Sequence, residues 1–313
     1  MLTPEVLTIF ILNSIFGFFS LIAFVLSVKI YLDWDLSSTS PRQYKLEKQS
    51  YLAATIIKYI FIIKVPLFLF FIFTLDKISN VLIGAMCGAG VVDATEYGTY
   101  LFILKIINLY LFAYWLMLHS VDVKDEKQPY TKVKFGFFIV VFFLFFSELI
   151  LEGIMFSSID IDKMVSCCGN IYSSSADSYI SEIFSVDTST LLVLFYGNFM
   201  FLVAAYFFKN RYLFAILNLV FIIISIIALI VFFGTYIYEI PTHHCPFCYL
   251  QEDYYYVGYL IYTFLFIGTF YGLVVGFMQK RENYNISLLF NTLFVMLLSL
   301  YPIVFYIRNG VWL

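Results

Sequence analysis

Long apolar runs broken by short polar stretches set the pattern of this chain. A helix needs about 20 apolar residues to cross the hydrocarbon of a bilayer, and runs of that order fall roughly at 6–31, 51–76, 98–121, 135–158, 189–208, 212–236, 255–278 and 285–307. They are apolar all round rather than along one stripe, which is the pattern of a helix bathed in lipid or buried among other helices. The expected fold is an all-α polytopic membrane protein of about eight transmembrane helices. The opening MLTPEVLTIF has no basic stretch and no small-residue cleavage site, so the first run reads as a span and not as a cleaved signal. The polar stretches DLSSTSPRQYKLEKQ and SSSADSYIS read as ordinary connectors.

Composition narrows the class further. The chain is 62% hydrophobic and 12% charged, about half the charge of a soluble domain, so lipid has to be the solvent for most of its surface. A net charge of −3 with no basic patch excludes nucleic acid as a partner. No Walker motif, no helix-opening GxGxxG, no GxSxG and no histidine pair at haem spacing occurs, which argues against nucleotide-driven transport, a serine hydrolase and a b-type haem core.

Lysine and arginine orient the spans. The connections after the first, third, fifth and seventh runs carry eleven of them, from Arg42 to Arg281, whereas the opposite connections and the C-terminal tail carry only Lys77, Lys163 and Arg308. Both termini are therefore expected outside the cytoplasm. The expected location is a bacterial inner membrane.

Under that orientation all five cysteines fall on the outer face. Cys87 sits after the second run, Cys167 and Cys168 after the fourth, and Cys245 and Cys248 after the sixth, where His243 and His244 precede them in THHCPFC. The outer face of such a membrane is oxidising, so thiols there are disulfide partners, redox groups or metal ligands. The segments CGAGVVDATEYGTYLF and CYLQEDYYYVGYLIY also resemble one another, which suggests two parallel four-helix repeats. The expected organisation is a first half at 1–160, a cysteine-containing outer loop at 161–188 and a second half at 189–313.

A Cys-x-x-Cys at the start of a helix has its thiolate stabilised by the unpaired N–H groups there. The tetrapeptide CPFC, residues 245–248, resembles the active-site sequence of glutaredoxin-type proteins. Its position at the outer end of a span is similar to that in the disulfide-forming quinone reductases of bacterial inner membranes and in vitamin K epoxide reductase. Those families have a four-helix core and a second cysteine pair, whereas this chain has about twice as many helices and no arginine beside the CxxC. The resemblance implies thiol–disulfide exchange, with Cys245 as exposed nucleophile, Cys248 as its partner, Cys87 with Cys167 or Cys168 as a relay, quinone as oxidant and a soluble thiol protein outside. The same residues support a second chemistry. His243, His244, Cys245 and Cys248 are imidazole and thiolate ligands suited to zinc or copper, handed on to a metal-carrying protein. A third possibility is a transporter whose cysteines only brace its outer loops.

Charged residues inside the first-half runs are costly and need partners. Counting about 1.5 Å of rise per residue from the outer ends, Lys64 and Glu148 both lie about 18 Å deep, while Lys105 and Glu152 lie about 10 and 12 Å deep. The depths match as Lys64–Glu148 and Lys105–Glu152, and Glu148 and Glu152 share a helix face. Such pairs serve either as a lock between helices or as a proton path or quinone-binding wall.

Overall fold

A computed structural model of the chain describes residues 3–313 apart from 36, 37, 39, 126, 127, 161–163 and 166–186. The described residues are helical with no strand, and eight helices are long and apolar enough to span a membrane. They are α1 (Pro4–Asp33), α2 (Pro41–Ser79), α4 (Gly98–Asp122), α5 (Thr131–Ser158), α6 (Thr188–Phe208), α7 (Arg211–Tyr238), α8 (Val257–Phe277) and α9 (Arg281–Asn309). A one-turn helix, α3 (Gly88–Asp93), lies between α2 and α4. The protein is thus an eight-span helical membrane protein.

The helix starts follow local chemistry. Thr3 caps α1 by accepting the Val6 N–H, and Pro4 occupies the first turn, where its missing N–H is not needed. Asp187 caps α6 through the Thr190 N–H at 3.0 Å. Between α6 and α7 only Lys209, left-handed at φ 54°, and Asn210, whose side chain accepts the Leu213 N–H, separate the two helices. The connector containing PRQYKLEKQ is not a loop. Ser40 accepts the Gln43 N–H, Pro41 follows it, and α2 begins there, some ten residues ahead of its apolar run. A polar helical turn extending beyond the bilayer carries no hydropathy signal, which is why a pattern of apolar runs passes over it.

The chain divides into two compact units, Met1–Ile78 with Val91–Lys163, and Ser79–Gly90 with Met164–Leu313. In the first, phenylalanines fill the space between helices. Phe61 stacks on Phe112 with ring centroids 4.3 Å apart, and Trp115 meets Phe61 edge-on. At one end Asp122 closes the α4–α5 turn, accepting the Tyr130 N–H at 2.8 Å and pairing with Lys134 at 2.6 Å.

Deeper in this unit the buried charges form a closed ring. Lys64 Nζ is 2.9 Å from Glu148 Oε1, and Lys105 Nζ is 2.9 Å from the same oxygen and 3.0 Å from Glu152 Oε2. Asn13 then donates to Glu152 Oε2 at 2.8 Å and accepts from Lys64 at 3.2 Å, which returns the circuit to its start. Asn108 donates to the other Glu148 oxygen at 2.7 Å. Two lysines and two glutamates cancel, and the ring joins α1, α2, α4 and α5. The cavity beside it measures about 10 Å³, room for a single water and far too small for a quinone ring.

The second unit is joined differently. Gly268, Gly272 and Gly276 lie at four-residue spacing along one side of α8. A methyl group at Gly272 would collide with the Asn218 side chain of α7, and one at Gly268 with Asn291 of α9. Across these close approaches Asn291 donates to Asn218 at 2.9 Å. Small residues and amide bonds are what hold helices together where lipid tails remove any hydrophobic drive between them.

Glu148→Gln should destabilise the protein by roughly 3–5 kcal/mol, because Lys64 is left charged and buried while Lys105 keeps Glu152. The double change Lys64→Met with Glu148→Gln restores charge balance and should recover most of that loss in thermal unfolding in detergent. A double variant no more stable than the single one would show that the ring is not an electrostatic unit.

Candidate functional site

The CPFC loop is held from both sides by tyrosines. α7 does not run out as a regular helix: residues Leu229–Phe233 form a wider π-turn, and Glu239 ends the helix in a left-handed conformation at φ 55°. A π-turn loosens the helical hydrogen-bond ladder. Here the Ile230 carbonyl also meets His244 Nδ1 at 3.0 Å. Because a carbonyl only accepts, this contact fixes His244 as the Nδ1–H tautomer.

One turn further on, the Tyr238 hydroxyl donates to the Cys245 carbonyl and accepts the Tyr249 N–H at 3.2 Å. From α8, the Tyr262 hydroxyl donates to the Pro246 carbonyl at 2.8 Å. Its proton is thereby committed, so the Tyr249 hydroxyl, 2.6 Å away, donates to it. Two phenols from two spans thus pin the backbone of residues 245–249. Burial, with the Tyr262 and Tyr238 phenols close by, holds the Tyr249 hydroxyl well above the usual phenol range, so it stays a neutral donor. The loop lies so close to α8 that a Cβ at Gly258 would sit 2.5 Å from the Tyr249 ring. Tyr255 and Tyr256, both at positive φ, turn the chain into that helix.

The third strand of the site comes from residues 79–90, which belong to the same unit although 158 positions separate Cys87 from Cys245. Gln251 donates to the Met86 carbonyl at 3.1 Å, and Val165 donates to the Ile83 carbonyl at 2.9 Å, so this segment is tied down on two sides. Cys87 Sγ then lies 3.5 Å from Cys245 Sγ, and the sulfurs of Cys87, Cys245 and Cys248 are all within 4.8 Å of one another. The separation of 3.5 Å is a contact and not the roughly 2.05 Å of an S–S bond.

Two expectations about CPFC change. Cys245 is not an exposed nucleophile: it is 1% exposed, Cys248 5% and Cys87 0%, under the tyrosine cover. Nor does the motif open a transmembrane helix. Cys248 starts a three-residue 3₁₀ turn, and α8 begins only at Val257. The motif therefore does not occupy the first turn of that helix. The tight turns at 248–256 are built by backbone bonds within the loop, which hydropathy does not register.

The histidines lie beside the cluster and outside the three-sulfur group. The His243 ring meets Tyr238 edge-on at 4.4 Å, and His244 is engaged with Ile230. Cys167 and Cys168 fall outside the described residues. Lys64, Lys105, Glu148 and Glu152 belong to the other unit and form the ring described above. Sequence reasoning placed Cys87 in a relay with Cys167 or Cys168 and had no signal that it meets CPFC. It also passed over Tyr238, Tyr249 and Tyr262, whose only trace is the tyrosine richness on either side of the motif.

No protein-family model, curated protein or solved structure matches the chain. What the geometry defines is a class: a multi-pass helical membrane protein with a buried cluster of three cysteines in the loops at one end of a four-helix unit.

Tyr238→Phe removes the hydroxyl shared by the Cys245 carbonyl and the Tyr249 N–H, leaving a buried N–H without an acceptor at a cost of about 1–3 kcal/mol. Alkylation of Cys245 and Cys248 in the folded protein should become several times faster while helix content is unchanged. Unaltered alkylation would show that the phenols do not set access to the sulfurs.

Proposed function

We propose that the protein holds a soft metal ion, Cu(I) first among them, between Cys87, Cys245 and Cys248, and that it captures or hands on that ion at the outer face of a bacterial inner membrane. The observation that carries this reading is the convergence of three buried sulfurs from two distant loops. Thiolates select Cu(I) or zinc over harder ions. Among the described residues the group stops at three ligands, which suits Cu(I) better than zinc with its usual four. Each thiol must lose its proton to bind, so the site takes up metal as it releases protons. The tyrosine cover keeps water away and stays neutral, so charge at the site comes from the thiolates. Outer-face placement rests on the lysine and arginine asymmetry of the connections.

Burial weighs against exchange with a soluble thiol protein, because a thiolate must reach its target to attack it. A second reading is kept by the 3.5 Å approach of Cys87 to Cys245. Their oxidation would form one S–S bond, release two protons and pass two electrons to a quinone, giving the quinol, and Cys248 is placed to reopen the bond.

Protein purified without chelator should carry close to one copper or zinc per chain. Cys87→Ser, Cys245→Ser and Cys248→Ser should each abolish it. A Cu(I) chelator should lower the unfolding temperature, since a metal at a hundred times its Kd contributes about 2.7 kcal/mol. Metal-free protein with Cys87 and Cys245 joined in a disulfide, and a mixed disulfide trapped by Cys248→Ser, would reject the metal reading in favour of the redox one.

A further inference from the structure

A cavity of the first unit belongs to the part of the chain without the cysteine cluster and has no part in the proposed function. It opens at the end of the unit where α1 finishes, α2 begins, α4 finishes and α5 begins, and it measures about 890 Å³, the size of a site for a sizeable ligand. Two buried polar atoms of its lining residues have no hydrogen-bond partner among the described residues: the indole Nε1 of Trp34 and Nδ1 of His119. Trp34 is only 9% exposed. An indole N–H can only donate, so whatever satisfies it must present an acceptor. Leaving such a donor dry costs free energy that a bound acceptor would recover.

The charges on the wall agree with that polarity. Lys58 has no carboxylate within salt-bridge distance among the described residues, and its ammonium lies near the Tyr59 ring. Lys134 is already paired with Asp122, but its three donors exceed what one carboxylate oxygen takes. Among the described residues that line it, the only carboxylate is Glu47, in the second turn of α2 and exposed. His119 is held in place by stacking on Trp115, whose own N–H is occupied by the Lys134 carbonyl. With the Trp34 N–H able only to donate and Lys58 positively charged, the ligand they suit is an anion with several acceptor oxygens.

The depth of the cavity says what kind of anion. Its α2 wall spans Gln43 to Tyr59. Lys45, Glu47 and Lys48 fall in its first part, and the apolar run begins at Leu52, with Thr55 and Lys58 set within it. The cavity thus lies where α2 passes from its polar extension into its apolar run, the level at which a headgroup meets its acyl chains. Basic pockets between spans are the usual seat of anionic headgroups.

We propose that this cavity binds a phosphate-bearing group, with the headgroup of an anionic phospholipid as its source. The phosphate oxygens accept from the Trp34 indole and the His119 ring while Lys58 supplies the opposing charge. The site is independent of the cysteine cluster.

The test uses the full chain, delipidated in detergent, with binding read by native mass spectrometry and by the shift in unfolding temperature. Phosphatidylglycerol, diacylglycerol and inorganic phosphate are compared on the wild type and on Trp34→Phe and Lys58→Gln. The phenylalanine keeps the aromatic volume and removes the N–H. Phosphatidylglycerol should bind and stabilise, diacylglycerol should not, and each variant should weaken binding about tenfold, the equivalent of one hydrogen bond to a charged group. Stabilisation by inorganic phosphate that is lost in the same variants keeps the phosphate site and transfers it from lipid to a soluble phosphate ester. Diacylglycerol binding as well as phosphatidylglycerol, or variants that fold and bind like the wild type, would overturn the proposal.

Discussion

A charge inside the hydrocarbon has no water to soften it, so everything in the first unit is arranged around neutralising Lys64, Lys105, Glu148 and Glu152. Their ring takes Asn13 from α1, Lys64 from α2, Lys105 from α4 and both glutamates from α5, which forces those spans into fixed rotational settings. Phenylalanine packing then fills around a geometry the charges have already imposed. Because the ring is neutral and closed, and the space beside it holds no more than one water, it reads as a lock between helices and not as a conduit.

Among its described residues the second unit carries no such ring and solves the same solvent problem with smaller means. Glycines on α8 admit the asparagines of α7 and α9, and one amide bond crosses between them. That close packing leaves the polar chemistry to the loops. There Tyr238 and Tyr262 reach out of the spans to fix the CPFC backbone, so the sulfurs owe their positions to rigid helices and not to a flexible loop. A metal site needs such preorganisation, since ligands that wander bind more weakly.

Much of this fold is legible in the sequence, and the reasons are physical. Apolar length alone gives eight spans, because a helix is the one structure in which a single segment satisfies its own backbone in lipid. Rise per residue brings Lys64 level with Glu148 and Lys105 level with Glu152, the same residues that the structure holds 2.9 and 3.0 Å apart. Glu148 taking both lysines on one oxygen, and Asn13 closing the circuit, are invisible to depth counting because they depend on helix rotation. The site is less legible. CPFC stands out by spacing, but its burial and its place ahead of α8 and not in its first turn come from backbone turns and from tyrosines that look like ordinary interface aromatics. Nothing in spacing links Cys87 to residues 158 positions away.

The most direct test of the three-sulfur site is X-ray absorption on the metal as purified, with copper and zinc edges measured on the same sample. A sulfur-only shell of three scatterers, lost when Cys87 is replaced by serine, is the expected result. A shell dominated by nitrogen or oxygen, or a metal signal indifferent to Cys87, would contradict it.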